Sequence, residues 1–123
     1  MLKGILLVDH NPVVRTMLRD YLESQPGLEV CGEASDGVEA IEKARKLSPA
    51  LIIMDLSRPR MSGLEAAQAL HPVMPAVPTI PFTLHKDAVP HNLASAAGIS
   101  SVISKSDGMG VLMNEIQMLL EQD

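Results

Sequence analysis

The sequence predicts an α/β fold in which a five-stranded parallel sheet carries five helices on its two faces. Short apolar runs that suit buried strands alternate with segments whose apolar residues recur at helical spacing. Helix-capping and helix-ending residues separate the two kinds of segment. This alternation is typical of parallel sheets that are covered on both faces. The 123 residues suit one domain, and we expect it to span 1–123.

The first half of the chain contains three predicted strands and two predicted helices. The strands are expected at 4–8, 28–34 and 50–54. Asn11 and Pro12 supply an N-cap and a first-turn proline for helix one, which ends at the QPG sequence, 25–27. Helix two opens at 35–37 and ends at 48–49. The apolar stripes expected to face inward are Val14, Met17, Leu18, Tyr21 and Leu22 in helix one, and Val38, Ile41, Ala44 and Leu47 in helix two.

The second half repeats the alternation with weaker signals. Ser62 and Glu65 have capping-box spacing and predict the start of helix three. Strand four is expected at 79–83, although it contains a proline, and strand five at 100–104. A fourth helix is expected from Asp87 to Ala97. The apolar stripe of the last helix consists of Met109, Leu112, Met113, Ile116, Leu119 and Leu120.

Composition excludes several classes of function. The net charge of −5 and the aromatic content of 2% argue against direct nucleic-acid binding, which needs positive charge or aromatic stacking platforms. Binding to DNA would have to come from an output domain outside this chain. The one cysteine, Cys31, is interpreted as a small buried hydrophobe. The N-terminal apolar run is too short for a signal peptide or a membrane span, so we expect a cytoplasmic protein without membrane contact.

Polar side chains follow four of the predicted strands. Asp9 and His10 follow strand one, Asp55 follows strand three, Thr83 ends strand four and Lys105 follows strand five. The carboxyl ends of parallel strands share one edge of a sheet, so these residues should meet there. Two close carboxylates favour a divalent cation such as Mg²⁺. With a cation present, one carboxylate could attack phosphorus while the hydroxyl and the ammonium bind the transferred oxygens.

The chain resembles the receiver domain of two-component response regulators. The resemblance is carried by "ILLVDHNPVVRTML", "GEASDGVEAIEKA", "PALIIMDLSRPRMSGLEA" and the later Thr83 and Lys105, and it covers nearly the whole chain. It implies a flavodoxin-like fold with strand order 2-1-3-4-5. The sequences "VVR" and "VCGEASDG" are most similar to the subclass whose receiver precedes a helix-turn-helix output domain.

The resemblance also implies a role for individual residues. Asp55 matches the phosphoacceptor, Asp9 matches one of the metal-binding acids, and the backbone carbonyl of Ser57 matches a further metal ligand. Thr83 matches the switch hydroxyl and Lys105 the family lysine. The implied partners are a histidine kinase or phosphotransfer protein, an output domain and a second copy. Phosphorylation would change the face formed by helix four, strand five and helix five.

Two departures from the family pattern bear on function. His10 stands where the family has a second metal-binding acid, and imidazole suits softer metals than Mg²⁺. We therefore expect weakened Mg²⁺ binding, with tolerance for Mn²⁺ or Zn²⁺. Val102 stands where the family has a switch aromatic, so the relay from the site to the signalling face lacks a ring.

Two alternative functions remain open at this stage. A degenerate receiver would keep the fold as a protein-interaction module without phosphorylation, and His10 and Val102 favour this alternative. A hydrolase similar to the haloacid-dehalogenase-like phosphatases would have a second aspartate, its general acid, two residues after the nucleophile, but Ser57 stands there. We therefore expect no enzyme activity beyond self-phosphotransfer and autodephosphorylation. The methionine-rich last helix makes a homodimer plausible.

Overall fold

The computed structural model describes residues 2–55, 68–72, 74–83 and 103–121. Five parallel strands form one sheet with the order β2-β1-β3-β4-β5, as the resemblance implied. The strands are β1 Lys3–Val8, β2 Leu28–Ala34, β3 Leu51–Met54, β4 Thr79–Thr83 and β5 Ile103–Ser104. From β1 the chain first adds β2 on one side and then β3 on the other side, so the strand order switches between β1 and β3. Ligand sites in open α/β sheets form beside such a reversal.

Three helices are described in full, and local capping explains where two of them begin. They are α1 Pro12–Glu23, α2 Gly37–Leu47 and the C-terminal helix Met109–Leu120. Asn11 Oδ1 accepts the Val13 N–H at 2.9 Å, so the predicted N-cap of α1 is confirmed. Asp36 lies within the predicted opening of helix two and is the N-cap of α2, where its Oδ1 accepts the Glu39 N–H at 2.9 Å. Residues 68–70 are helical. The rest of predicted helix three and all of helix four lie outside the described residues.

The sheet separates two apolar clusters, because successive side chains of a strand point to opposite faces. Ile5 and Leu7 of β1 pack in one cluster with buried residues of α1 and the C-terminal helix. Leu6 and Val8 pack in the other cluster with Ala40 of α2. Helices therefore cover both faces, and the polar edge at the carboxyl ends of the strands lies between the two layers.

Two side chains of the predicted inward stripes are exposed. Met17 is 49% exposed, because the buried face of α1 is centred on Leu18 and Leu22 and Met17 lies to one side of it. Leu47 is 38% exposed at the end of α2. Its Cδ1 lies over Gly32, where an added Cβ would come within 2.6 Å of it. The prediction that both residues face the core is wrong, because helical spacing alone does not show how wide the buried stripe is.

Pro81 lies inside the central strand β4, where a proline is unusual. The Ile52 N–H donates to Pro78 O, so β4 directs the polar groups of residue 78 toward β3. Successive residues of a strand direct their backbone N–H and C=O groups to opposite neighbouring strands. Residue 81 is three residues after residue 78, so the nitrogen of Pro81 faces β5. The described part of β5 begins opposite Phe82, one residue later. The N–H that Pro81 lacks is therefore not needed for any of the described pairs between β4 and β5.

Cys31 is half-buried on β2 and packs beside the second apolar cluster. Burial raises the pKa of its thiol, which agrees with the predicted role as a small hydrophobe. Within the described ranges, every helix is too short or too polar to cross a lipid bilayer.

Candidate functional site

Two buried carboxylates lie side by side at the carboxyl edge of the sheet. Asp9 follows β1 and is 3% exposed, and Asp55 follows β3 and is 6% exposed. The Asp9 N–H donates to Ala34 O at 3.0 Å, and the Asp55 N–H donates to Val8 O at 2.8 Å. These bonds extend the strand ladders by one residue. The backbone of Asp9 and of Asp55 is therefore held by the same kind of hydrogen bonds as the strands of the sheet.

Lys105 joins the two carboxylates. Its Nζ lies 2.8 Å from Asp9 Oδ2 and 3.2 Å from Asp55 Oδ2, and its side chain is only 14% exposed. Like charges in a buried site are costly unless they are paired and hydrogen-bonded. The ammonium supplies that pairing. Lys105 is 96 residues from Asp9 and 50 residues from Asp55 in the sequence, and the parallel topology predicted that they would meet.

The protonation of Lys105 follows from the same contacts. Burial by itself would lower the pKa of the ammonium. The hydrogen bond to Asp9 and the charges of both carboxylates outweigh burial and hold the pKa of Lys105 above its ordinary value. Lys105 therefore carries a full positive charge near neutral pH.

The turn that carries Lys105 is held by a capping box. The Ser104 N–H donates to Asp107 Oδ2 at 3.0 Å, and the Ser106 N–H donates to Ser104 Oγ at 3.2 Å. Residues 105–107 form one turn of 3-10 helix between β5 and the C-terminal helix. The Ser-x-x-Asp spacing at 104–107 is the sequence signal for this capping box, and it was not among the predicted caps.

His10 completes a group that could hold a metal ion. One ligand atom each from Asp9, His10 and Asp55 can be chosen so that all three lie within 4.8 Å of one another. His10 is 54% exposed, and its Nδ1 lies 3.9 Å from Asp9 Oδ1. Two carboxylate oxygens suit a hard divalent cation, and an imidazole nitrogen adds affinity for transition metals. The donor set therefore fits a divalent cation, and it is softer than an all-carboxylate set.

Arg15 supports this edge from α1, and the sequence analysis did not single it out. Its Nη1 donates to the main-chain oxygen of Asp9, and its Nε donates to Glu33 Oε1 at 2.9 Å. Arg15 and Glu33 are 18 residues apart. The packing of α1 beside β2 brings them together, so no local motif could have indicated the contact.

The remaining predicted residues divide into two groups. Thr83 is buried at the end of β4 and pairs in register with Ser104, the residue before Lys105. It therefore lies at the same edge as the two carboxylates. The other group consists of Ser57 and Val102, and both lie outside the described residues.

A comparison with protein families agrees with this geometry. The family model described as "Response regulator receiver domain" matches residues 5–117. The chain belongs to the response-regulator receiver family. Receivers of this family bind Mg²⁺ at an acidic pocket, and the Asp9, His10 and Asp55 group is the corresponding feature here.

Several known proteins are similar to this receiver. Protein-glutamate methylesterase/protein-glutamine glutaminase 4 of Myxococcus xanthus (strain DK1622) is 37% identical over 105 residues, which are 85% of this chain and 30% of that protein. A LuxR-family two-component response regulator from Aurantimonas sp. SI85-9A1 superposes with a TM-score of 0.90 at 32% identity, covering 98% of this chain and 86% of that one.

A second similar structure contains a bound ligand. Response regulator TrrA from Thermotoga maritima, in complex with Mg²⁺-BeF, superposes with a TM-score of 0.87 at 27% identity, covering 96% of this chain and 99% of that one. The receiver spans between 18% and 54% of the length of the curated relatives that it matches.

Proposed function

We propose that this receiver is a phosphorylation switch that accepts phosphate on Asp55 from a histidine kinase or a phosphotransfer protein. One observation carries the proposal, namely that Lys105 Nζ contacts the buried carboxylates of both Asp9 and Asp55. A buried carboxylate that is held beside a cation is a suitable nucleophile for phosphorus. The cytoplasm, where such kinases present their phosphohistidine, is the proposed location.

The transfer forms one bond and breaks another. An Asp55 oxygen attacks phosphorus, and the bond from phosphorus to the donor's histidine nitrogen breaks. The electron pair stays with that nitrogen, which takes a proton. The product on Asp55 is an acyl phosphate. Lys105 stabilises the charge on the phosphoryl oxygens, and the Thr83 hydroxyl is the proposed hydrogen-bond donor to one of them.

A divalent cation fits beside this reaction. The proposed ligands are the carboxylates of Asp9 and Asp55, the imidazole of His10 and the backbone carbonyl of Ser57. When bound, the cation would neutralise the carboxylates and the incoming phosphoryl charge. His10 supplies a softer donor than the acid that the family has there, so we propose weakened Mg²⁺ binding and tolerance for Mn²⁺.

The turn at Lys105 would transmit the structural change caused by phosphorylation from the site to the C-terminal helix. This turn joins β5 directly to the C-terminal helix, and its capping box makes it rigid. Phosphorylation would bias two pre-existing arrangements of the face made by predicted helix four, β5 and the C-terminal helix. The proposed recipients are a second copy or an output domain outside this chain, through which any contact with DNA would occur.

The test is phosphorylation by acetyl phosphate with Mg²⁺ or Mn²⁺, followed by intact mass spectrometry. We expect one acid-labile phosphoryl group on the wild type and none on Asp55→Asn. Asp20 is an exposed acid on α1, so Asp20→Asn should be phosphorylated like the wild type.

Other outcomes would contradict the proposal in distinct ways. An adduct that persists in Asp55→Asn would move the acceptor to another residue. Absence of an adduct with either metal would identify a degenerate receiver that acts as an interaction module. Multiple turnovers of a small phosphate ester would instead indicate a hydrolase.

A further inference from the structure

We propose that Arg15 is a positioning residue that sets the metal affinity of the site by fixing the peptide between Asp9 and His10. The inference rests on the metal site of the proposed function. It concerns a side chain on α1 that carries no ligand atom itself.

Arg15 contacts two parts of the sheet at once. Its Nη1 donates to the main-chain oxygen of Asp9, beyond the end of β1. Its Nε donates to Glu33 Oε1 of β2 at 2.9 Å, and its side chain is 19% exposed. A planar guanidinium that uses two of its donors on separate acceptors has little freedom to rotate. Arg15 therefore holds the end of β1 at a set distance from β2.

Glu33, which accepts a hydrogen bond from Arg15, is fixed in place by contacts of its own. Arg19 Nε donates to Glu33 Oε2 at 2.8 Å, and Lys43 Nζ of α2 donates to the Glu33 main-chain oxygen. Glu33 also pairs in register with Leu7 of β1. Contacts from both helices and the neighbouring strand thus fix the point from which Arg15 reaches Asp9.

The position of the Asp9 main-chain oxygen affects the orientation of two proposed metal ligands. This oxygen belongs to the planar peptide whose other side is the nitrogen of His10, so fixing the oxygen fixes the plane. Both residues joined by that peptide are proposed ligands. Asp9 Oδ1 is also oriented by the Asn11 N–H at 2.9 Å. Partners behind metal ligands orient those ligands, and their loss commonly weakens metal binding by about ten- to a hundredfold.

The test compares Arg15 variants with a matched control on the same helix. Arg19 shares the Glu33 carboxylate but, among the contacts described, its guanidinium bonds to Glu33 and Glu23 rather than to Asp9. Calorimetry with Mn²⁺ alone measures the Kd of the wild type, Arg15→Gln, Arg15→Lys and Arg19→Gln. Urea unfolding of the same proteins measures stability.

We expect Arg15→Gln to raise the Kd for Mn²⁺ about tenfold. Arg15→Lys should recover part of that loss, because an ammonium can still donate to the Asp9 oxygen. Arg19→Gln should stay within about twofold of the wild type, because Glu33 keeps its contact with Lys43 and its register with Leu7 when Arg19 is lost. Arg15→Lys also serves as the folded variant if Arg15→Gln does not fold.

Three results would overturn the inference. They are an unchanged Kd in both Arg15 variants, an equal rise in Kd in Arg19→Gln, and a wild type that binds no Mn²⁺. Failure of the proposed function is seen separately, as the absence of an acid-labile adduct on Asp55. A wild type that binds Mn²⁺ but takes no phosphate would therefore leave the role of Arg15 intact.

Discussion

Lys105 offsets the repulsion between the carboxylates of Asp9 and Asp55 in a buried site. Two carboxylates about 4 Å apart repel by roughly 4 kcal/mol at an effective dielectric constant near 20. The ammonium lies within hydrogen-bonding distance of one oxygen from each. One positive charge offsets only part of two negative charges, so the site retains an affinity for a further cation. The residue at position 10 then decides which cation is preferred.

We predict that His10→Asp raises the affinity for Mg²⁺ about tenfold, a gain of about 1.4 kcal/mol. The substitution replaces a soft, half-exposed donor with a third carboxylate, which Mg²⁺ prefers. Calorimetric titration of the wild type and the variant measures the change. His71 lies outside the ligand group, so His71→Asp is the matched control and should titrate like the wild type. Identical Mg²⁺ titrations of the wild type and His10→Asp would show that the imidazole does not limit binding.

At the scale of elements, charged contacts attach α1 to the edge strand β2. Arg15 and Arg19 stand one helical turn apart and bind different oxygens of Glu33. Burial by itself would raise the pKa of Glu33, but the hydrogen bonds from Arg19 and Arg15 and their charges hold it below its ordinary value. The ionised carboxylate is therefore more stable in the folded protein than in the unfolded chain.

This pKa predicts a particular pH dependence of stability. A carboxyl whose folded pKa is lowered stabilises the fold above its unfolded pKa, about 4.3, and loses that contribution as the pH falls through the folded pKa. At pH 7 we expect Glu33→Gln to lower the free energy of unfolding by about 1 kcal/mol, since the pair is partly screened by solvent. The difference from the wild type should become smaller in acid, at about pH 3, as the carboxyl gains its proton.

Urea unfolding at both pH values checks the prediction. Glu29 is exposed on the same strand, so Glu29→Gln should show no comparable change between the two pH values. A Glu33→Gln deficit that is equally large in acid would assign the role of Glu33 to packing rather than to charge.

At the scale of the whole molecule, the parallel topology explains why much of the site could be predicted. Apolar periodicity indicated the strands, and parallel strands place their carboxyl ends at one edge, which brought Asp9, Asp55 and Lys105 together. The contact between Arg15 and Glu33 could not be predicted, because it depends on how α1 packs beside β2 and on side-chain geometry. The exposure of Met17 was missed because spacing does not show the width of a buried stripe.

The assembly of the site from distant parts of the chain links metal binding to folding. Asp9 and Lys105 are 96 residues apart in sequence, so the unfolded chain does not hold the ligands together. A cation that binds only the folded state stabilises it by about 2.7 kcal/mol at a hundredfold excess over its Kd. For a domain of this size, each kcal/mol raises Tm by roughly 3–5 °C.

We therefore predict that Mn²⁺ at a hundredfold excess over its Kd raises Tm by about 10 °C in differential scanning calorimetry. Asp9→Asn should lose most of this increase because it removes a charged ligand, whereas Asp20→Asn should retain it. Sodium chloride at equal ionic strength controls for general screening of the net charge of −5. Addition of EDTA should return Tm to its metal-free value. A Tm that rises equally with sodium chloride, or equally in Asp9→Asn, would mean that the cation acts on overall charge and not at the edge of the sheet.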